Sequence, residues 1–475
     1  MDPSGAVPIY LQICHLVIDQ INAGRLAAGT AMPGSRGLAA DLGVNRKTVI
    51  AAYQELIAQK WLVSDGKRGT FVSLLVPQPS AGVERRGQPG DRLPYFERLT
   101  ADPFPAEKDD DPSHSDDGLP DSRLFPLGIY SRAYRRALMH SVRDGGLNYG
   151  DPRGSSSFRS ALSVMLNTER GLSTKPEAIC LTRGSQMALF VAARVLIRPG
   201  DAVAFEDMTY PPARETFRAA GAKIVHVRLD GHGIDVDHLE HLCRQERIRA
   251  VYLTPNHQFP TTVLMRLGRR LRLLSLADQF GFSIIEDDYD HEFHYAHRPM
   301  LPLASMAPEK VLYIGSLSKL LAPTLRLGYM VGPEAVIGRA AHEIILIDRQ
   351  GDAVGERAAA IMIEDGELRR FARRSLAVYR ERREVFAARL ASEFGGRIAF
   401  DTPEGGLAFW CRLLDVDDIE RFEMTPLREQ LRVGRPSVLG HSGFIPPGFR
   451  VGFARLDEKQ AEQFFVTLAR FWQDR

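Results

Sequence analysis

From about residue 178 to residue 314 the chain repeats one unit, a short apolar run followed by a stretch of helical spacing. The runs at 178–181, 202–205, 224–227, 251–253, 283–285 and 311–314 are too short for buried helices and read as buried strands. Helical patterns at 187–197 and 264–280 lie between them. Alternation of this kind leaves one main architecture: an α/β domain with a mostly parallel sheet, its ligands sitting beyond the C-terminal ends of the strands. At 475 residues the chain has room for that core and at least one further module. The apolar fraction of 44% and charged fraction of 25% are those of a globular protein, and no run of 18 apolar residues offers a membrane span. With no signal pattern at the N-terminus, the expectation is a cytoplasmic protein. Cys14, Cys180, Cys243 and Cys411 lie far apart, so neither a disulfide framework nor a thiolate metal site is expected. A net charge of +2 means that any nucleic-acid contact must come from a local patch.

The groups at the strand ends carry chemistry. The run at 311–314 leads into Gly315-Ser316-Leu317-Ser318-Lys319, and Arg326-Leu327-Gly328 follows. A lysine at the mouth of an α/β core can form a Schiff base with a carbonyl cofactor if its surroundings lower its pKa. Arg326, with Ser316 and Ser318, can hold a phosphate through charge-assisted hydrogen bonds. The combination points to pyridoxal phosphate, although S-x-S-K alone also fits an ordinary strand-to-loop junction. Gly184-Ser185-Gln186 opens a helix after a strand, where amides and the helix dipole favour an anion. Tyr210 could stack on a planar ring or be a plain core tyrosine. Glu286-Asp287-Asp288-Tyr289 ends another strand, and carboxylates there are costly unless used. Asp287 could keep a pyridine nitrogen protonated while Tyr289 donates to the ring oxygen; a metal site or an exposed loop is the competing reading. His291, His294 and His297 follow at threes but hang off one short segment, which favours a structural role over zinc. No metal is expected.

The N-terminal part has another character. Residues 8–21 have helical spacing, and 33–42 form a short helix with a serine near its cap. Gly43-Val44 turns the chain, and Asn45 caps a second helix from Arg46 to about Lys60. This is a helix-turn-helix, with Asn45, Arg46, Lys47 and Thr48 at the end that meets bases and phosphates. Residues 61–63 and 69–72 read as strands joined by Asp65-Gly66-Lys67-Arg68, a basic wing. Residues 1–75 hold seven basic against five acidic residues, a modest excess. Arg36, Arg46, Lys47, Lys67 and Arg68 nevertheless converge on one face if the motif forms, and such a cluster supplies phosphate affinity. From Ser73 to Asp117 prolines and an acidic run replace periodicity, which reads as a flexible linker. A coil of ~45 residues spans roughly 35–40 Å, comparable with the ~34 Å between half-sites one DNA turn apart.

Residues 8–72 resemble the winged-helix domain of GntR-type bacterial regulators. The resemblance rests on Pro8-Ile9-Tyr10, Gly24-Arg25-Leu26, Pro33 with Ser35-Arg36, Leu42-Gly43-Val44, Arg46-x-Thr48-Val49, Ala52-Tyr53 and Gly69-Thr70-Phe71-Val72. It implies DNA contacts by Ser35, Arg36, Asn45, Arg46, Lys47, Thr48, Lys67, Arg68 and Gly69. From about Gly118 to the C-terminus the strand-end residues are similar to fold-type I pyridoxal-phosphate enzymes of the aminotransferase class. That resemblance implies Lys319 as the Schiff-base lysine, Asp287 at the pyridine nitrogen and Tyr289 at the ring hydroxyl. Gly184, Ser185, Gln186, Ser316, Ser318 and Arg326 would surround the phosphate, Tyr210 would stack on the ring, and Asn256 and His257 would face the cofactor. Tyr149, in Tyr149-Gly150-Asp151-Pro152-Arg153-Gly154, matches the tyrosine that reaches the phosphate of the partner subunit, implying a homodimer. Arg450 matches the arginine that grips a substrate carboxylate.

Both resemblances in one chain look like the MocR subfamily of GntR regulators, with Pro255-Asn256-His257-Gln258-Phe259-Pro260-Thr261 and Tyr379-x-x-Arg382-Arg383 as further hallmarks. Thr262 stands where glycine is usual, and Met208-Thr209 where Pro-Gly is usual. The expected fold is multidomain. An α+β winged helix-turn-helix would occupy 1–75, a linker 76–117, and an α/β aminotransferase-like domain 118–475, with a small subdomain from about 385. The expected function is a pyridoxal-phosphate-dependent regulator that binds double-stranded operator DNA and senses an amine or amino-acid effector, or the cofactor itself. A working aminotransferase with a DNA-binding appendage is the alternative, and a residual half-reaction is compatible with either. A large domain acting only as a dimerisation scaffold is a third reading.

Overall fold

The computed structural model describes residues 1–2, 7–66, 68–75, 118–295, 300–433 and 448–473. The expected linker at 76–117, Lys67 and His297 lie outside them. The chain separates into two compact units, Met1–Phe104 and Pro105–Arg475.

In the first unit, α1 (Ile9–Asn22), α2 (Ser35–Leu42) and α3 (Arg46–Ala58) precede the hairpin of β1 (Leu62–Asp65) and β2 (Gly69–Val72). Apolar positions on these elements close a small core of Ile13, Val17, Ile21, Ala39, Val49, Ala52, Leu56, Leu62 and Val72. Gly43 ends α2 in a left-handed conformation at φ +64°, which costs glycine little. Two residues on, Asn45 caps α3 by accepting from the Lys47 amide at 2.8 Å. Residues 29–32 pair with β2 through Gly29 N to Val72 O and Met32 N to Thr70 O, which ties the wing to the helices.

The second unit opens with α4 (Leu127–Arg143) and α5 (Ser156–Arg170). Then come β3 (Ile179–Thr182), α6 (Gly184–Leu196), β4 (Ala202–Glu206), α7 (Pro211–Ala219) and β5 (Lys223–Val227). A two-residue hairpin, β6 (Leu229–Asp230) and β7 (Gly233–Ile234), leads to α8 (Val236–Gln245) and β8 (Ile248–Leu253). Next are α9 (Leu267–Phe280), β9 (Ser283–Asp288), α10 (Leu303–Met306), β10 (Val311–Ser316) and β11 (Gly328–Val331). Seven strands form one sheet in the order β3-β11-β10-β9-β8-β4-β5. The α/β reading holds, with one strand it did not include. β11 runs antiparallel between β10 and β3, so the sheet is mixed. The close approach of Gly328 to Gly184 seats this strand, since a Cβ at 328 would lie 2.6 Å from the Gly184 carbonyl carbon.

Helices α11 (Glu334–Asp348), α12 (Ala353–Glu364) and α13 (Glu367–Phe394) lead to a three-stranded antiparallel sheet of β12 (Ile398–Phe400), β13 (Ala408–Leu413) and β14 (Gly448–Gly452). The chain passes through α14 (Val416–Met424) and α15 (Leu427–Leu431) before β14 and ends in a helix at Glu458–Gln473. Phe386 of α13 packs on Phe409, Phe464 and Phe465, joining that helix to the small sheet.

The large sheet sorts its side chains by alternation. Cys180, Phe205, Tyr252, Ile285, Ile314 and Met330 belong to one buried cluster, with Ala188, Leu189 and Ala192 of α6. Leu181, Val251, Ile284, Tyr313 and Tyr329 belong to the cluster on the other face.

Candidate functional site

Alternation at the end of β9 decides what its carboxylates do. Glu286 and Asp288 point to one face of the sheet and Asp287 to the other, because successive strand residues face opposite ways. Asp288 is paired with Arg170 of α5 at 2.6 Å, and both side chains are buried. It also accepts from Tyr313 Oη and from Asn256 Nδ2, each at 2.6 Å. Burial would push its pKa up, but the Arg170 charge and these donors hold it well below the usual carboxylate range. Glu286 accepts from the Leu303 and Ala304 amides at 2.9 Å and so caps α10. These two carboxylates are fully engaged in holding the fold.

Asp287 is different. Tyr252 Oη donates to its Oδ2 at 2.9 Å, while its Oδ1 is buried with no hydrogen-bond partner among the described residues. Burial raises its pKa to about 7, against the lowering effect of the Tyr252 hydrogen bond and with a further rise from the Asp288 charge. A buried acceptor left without a donor at the C-terminal end of a central strand is costly, and it marks this position as the candidate contact for a ligand's donor.

The lysine and the anion-binding groups gather at neighbouring strand ends. Lys319, partly buried three residues beyond β10, donates from Nζ to the Gly118 carbonyl at 3.0 Å. Ser316 Oγ accepts from the Ser318 amide at 3.1 Å, and Ser318 Oγ is buried without a partner among the described residues. Gly184, Ser185 and Gln186 form the first turn of α6, where a helix has no intrahelical acceptors for its amides and its dipole favours an anion. Arg326, in a left-handed conformation, donates to the Arg183 carbonyl at 2.8 Å and lies against that turn. A Cβ at Gly184 would come 2.7 Å from its guanidinium. Gln186 donates to Thr216 Oγ1 at 2.8 Å, and its Oε1 is buried and unpartnered among the described residues.

A second group stands over this floor. Tyr289 Oη donates to the His257 carbonyl at 3.0 Å. Arg450, buried on β14, donates to the Pro260 carbonyl at 2.9 Å and to Tyr289 Oη at 3.4 Å, with its guanidinium 5.0 Å from the Phe259 ring centre. Tyr210, at the start of α7, meets the same Phe259 ring edge-on at 5.3 Å. Phe259 thus links Tyr210 to Arg450, a role the sequence did not suggest.

Asn256 and His257 are committed to neighbours. Asn256 bridges Asp288 and Arg270, the latter bond being 2.8 Å. His257 Nδ1 lies 2.6 Å from Asp290 Oδ1, and its ring sits 5.0 Å from that of His294. Burial drives His294 far below its ordinary pKa, so it is neutral and packed. Tyr149 is 77% exposed, with Arg349 over its ring at 5.2 Å. Thr262, where glycine was noted as usual, has φ +63°, a left-handed conformation costly for a β-branched residue. Met208 packs with Leu229 and Trp410, and its carbonyl accepts from Gln258 Nε2 at 2.7 Å. Among the described residues no group of three or more His, Cys, Asp or Glu side chains could hold a metal ion.

In the first unit, Asn45, Arg46 and Lys47 are exposed at the start of α3, with Thr48 half-buried behind them. Arg46 Nε donates to Ser35 Oγ at 3.3 Å, which draws the first turns of α2 and α3 together beside the exposed Arg36. Arg68 and Gly69 are exposed at the wing, where Asp65 lies 3.6 Å from Arg68 and partly offsets its charge.

Comparison with known proteins agrees with both units. Residues 130–468 match the model of aminotransferase class I and II, and residues 9–72 match that of bacterial regulatory proteins, gntR family. The probable rhizopine catabolism regulatory protein MocR of Rhizobium meliloti is 29% identical over 96% of this chain and 94% of its own length. Aromatic-amino-acid aminotransferase 1 of Thermococcus litoralis is 30% identical over 74% of this chain and 86% of its own. The crystal structure of Pyrococcus horikoshii kynurenine aminotransferase in complex with PMP superimposes with a TM-score of 0.68 at 27% identity, covering 75% of this chain and 89% of that one. The chain therefore belongs to the aminotransferase class I and II family and carries an N-terminal gntR-type regulatory domain, the two-module organisation of MocR-type regulators.

Proposed function

We propose that this protein is a DNA-binding transcriptional regulator whose aminotransferase-like domain holds pyridoxal phosphate and senses an amine or amino-acid effector, or the cofactor itself. One observation carries the reading. Asp287, alone of the three β9 carboxylates, keeps a buried oxygen without a partner, on a chain that also presents a winged helix. The orphaned Ser318 hydroxyl and the close seat of Arg326 on Gly184 fit a phosphate at the other end of the same group.

When bound, pyridoxal phosphate supplies an aldehyde that condenses with amines and a protonated ring that draws off electron density. Lys319 would hold it covalently. Asp287 Oδ1 would accept a hydrogen bond from the protonated ring nitrogen, and Tyr289 would donate to the ring oxygen. The first-turn amides of α6 at Gly184, Ser185 and Gln186, with Ser316, Ser318 and Arg326, would carry the phosphate charge. Tyr210 would cover the ring face, with Asn256 and His257 bracing the loop beside it. Arg450 would pair with an effector carboxylate, exchanging its Pro260 and Tyr289 contacts for a bidentate one.

A homodimer is part of the proposal. Leu138, Met139, Val142, Leu147 and Tyr149 leave apolar surface exposed along α4 and the turn after it. Pairing there would let Tyr149 serve the phosphate of a second subunit. Arg36, Asn45, Arg46, Lys47, Thr48 and Arg68, with Ser35 and Gly69 shaping their backbone and Lys67 between them in sequence, would meet double-stranded operator DNA. The effector would act by binding one domain arrangement better than another, shifting the paired winged helices. Such a protein belongs in the cytoplasm with its operator. Among the described residues no helix is long and apolar enough to cross a membrane.

The test is the visible spectrum of purified protein, then borohydride reduction and mass spectrometry, with an adduct expected on Lys319. Footprinting on the DNA upstream of its own gene, with and without amines, tests the regulatory half. Arg46→Ala should abolish the footprint and leave the spectrum unchanged; loss of both would refute the modular reading. A catalytically active aminotransferase is the second reading, favoured by the likeness to the Thermococcus litoralis enzyme. Sustained turnover of an amine donor with a 2-oxoacid would support it.

A further inference from the structure

Asp287 does not stand by itself: the tyrosine beneath it is placed as if to aim it. Tyr252 is on β8, in register with Ile285 of β9 and Phe205 of β4. Asp287 is two residues further along β9, on the same face, a diagonal neighbour within reach of an aromatic side chain. The Tyr252 ring is fully buried and lies 5.1 Å from the Phe205 ring, which in turn packs on Phe217 of α7. Its hydroxyl therefore rises from the apolar layer under α6 to meet Asp287 Oδ2 at 2.9 Å. A phenylalanine would fill the same space. A hydroxyl buried in such a layer is a cost unless its hydrogen bond has a use.

We infer that Tyr252 is a positioning residue for the cofactor's ring nitrogen, fixing the rotation of the Asp287 carboxylate so that Oδ1 alone faces the pocket. It does so in two ways. The bond to Oδ2 sets the plane of the carboxylate, and a donor on one oxygen favours the ionised form that a pyridinium needs. No group among the described residues bonds to Oδ1. The inference rests on the reading of this pocket as a pyridoxal phosphate site and adds a residue that the strand-end motifs do not contain.

The experiment uses the full-length protein stripped of cofactor and two probes, pyridoxal phosphate and its 1-deaza analogue, in which CH replaces the ring nitrogen. Binding is followed by absorbance and by quenching of intrinsic fluorescence. Tyr252→Phe should weaken pyridoxal phosphate on the order of tenfold, the effect of one hydrogen bond to a charged group. It should leave the affinity for the deaza analogue unchanged, which also shows that the pocket is folded. On an Asp287→Ala background Tyr252→Phe should have no further effect. Equal weakening of both probes would mean that Tyr252 only packs, and an unchanged affinity for pyridoxal phosphate would mean that it does not aim the carboxylate; either overturns the inference while the pocket reading stands. Failure of the wild-type protein to bind either probe would overturn both.

Discussion

Asp287 makes the cofactor-free protein less stable than it need be, and the size of that penalty can be worked out. Its carboxyl titrates at about 7 in the folded chain, chiefly through burial, against about 3.9 in an unfolded one. A carboxyl whose folded pKa is raised binds its proton more tightly when folded. Its contribution is therefore intact below about pH 4, is lost as pH rises toward 7, and stays lost above that. Three pKa units at 1.36 kcal/mol each amount to about 4 kcal/mol at neutral pH. Asp287→Asn keeps the shape and can still accept from Tyr252, but it carries no charge to desolvate. In cofactor-free protein the variant should be the more stable by several kcal/mol at pH 8, and the difference should fall to about 1–2 kcal/mol at pH 5. Equilibrium urea unfolding at the two pH values, read through Trp410 and Trp472, measures it. Taking the difference between variant and wild type removes the titrations of Glu206 and Glu286, which burial also raises, to about 8 and about 7. Saturating pyridoxal phosphate should reverse the order, because only the wild type gains a pyridinium partner and the stabilisation that binding brings. A variant no more stable than wild type at pH 8, or a difference that does not shrink at pH 5, would refute the reasoning.

Further outcomes follow from the same geometry. Arg170→Ala leaves Asp288 charged and buried, and should cost about 3 kcal/mol in urea unfolding, the lower end for a broken buried pair because Tyr313 and Asn256 still donate. Since Asp288 is held below its unfolded pKa, the wild-type pair contributes fully above about pH 4 and weakens only on acidification below that. Asn45→Ala should cost about 1 kcal/mol by removing the α3 cap, read as faster amide exchange at Lys47 and Thr48. Gly184→Ala, at φ +79° and with Arg326 in the way of the new methyl, should displace that guanidinium and weaken binding of inorganic phosphate and pyridoxal phosphate alike.

Local pattern sufficed for much of this molecule. The short apolar runs between helical stretches determined an α/β layer with its chemistry at the strand ends. Asn45, Gly43 and the hairpin residues determined the winged helix, because caps and turns are set by neighbours in sequence. The match of Lys319, Asp287 and Arg450 to known motifs was visible in the same way. Tertiary structure decided the rest. Resemblance picked Asp287 out of Glu286-Asp287-Asp288, but local pattern gives no physical reason for the choice; the pleat of β9, set against Arg170, Arg270 and Tyr313 on one face and Tyr252 on the other, supplies it by separating two structural carboxylates from the one left with an open oxygen among the described residues. β11 escaped notice because its four residues look like the tail of a loop until Gly184 and Gly328 are seen to touch. Tyr252 and Phe259 were hidden for the same physical reason: their partners lie on other strands and loops, and register between strands is fixed by packing of the whole sheet, which no local pattern encodes.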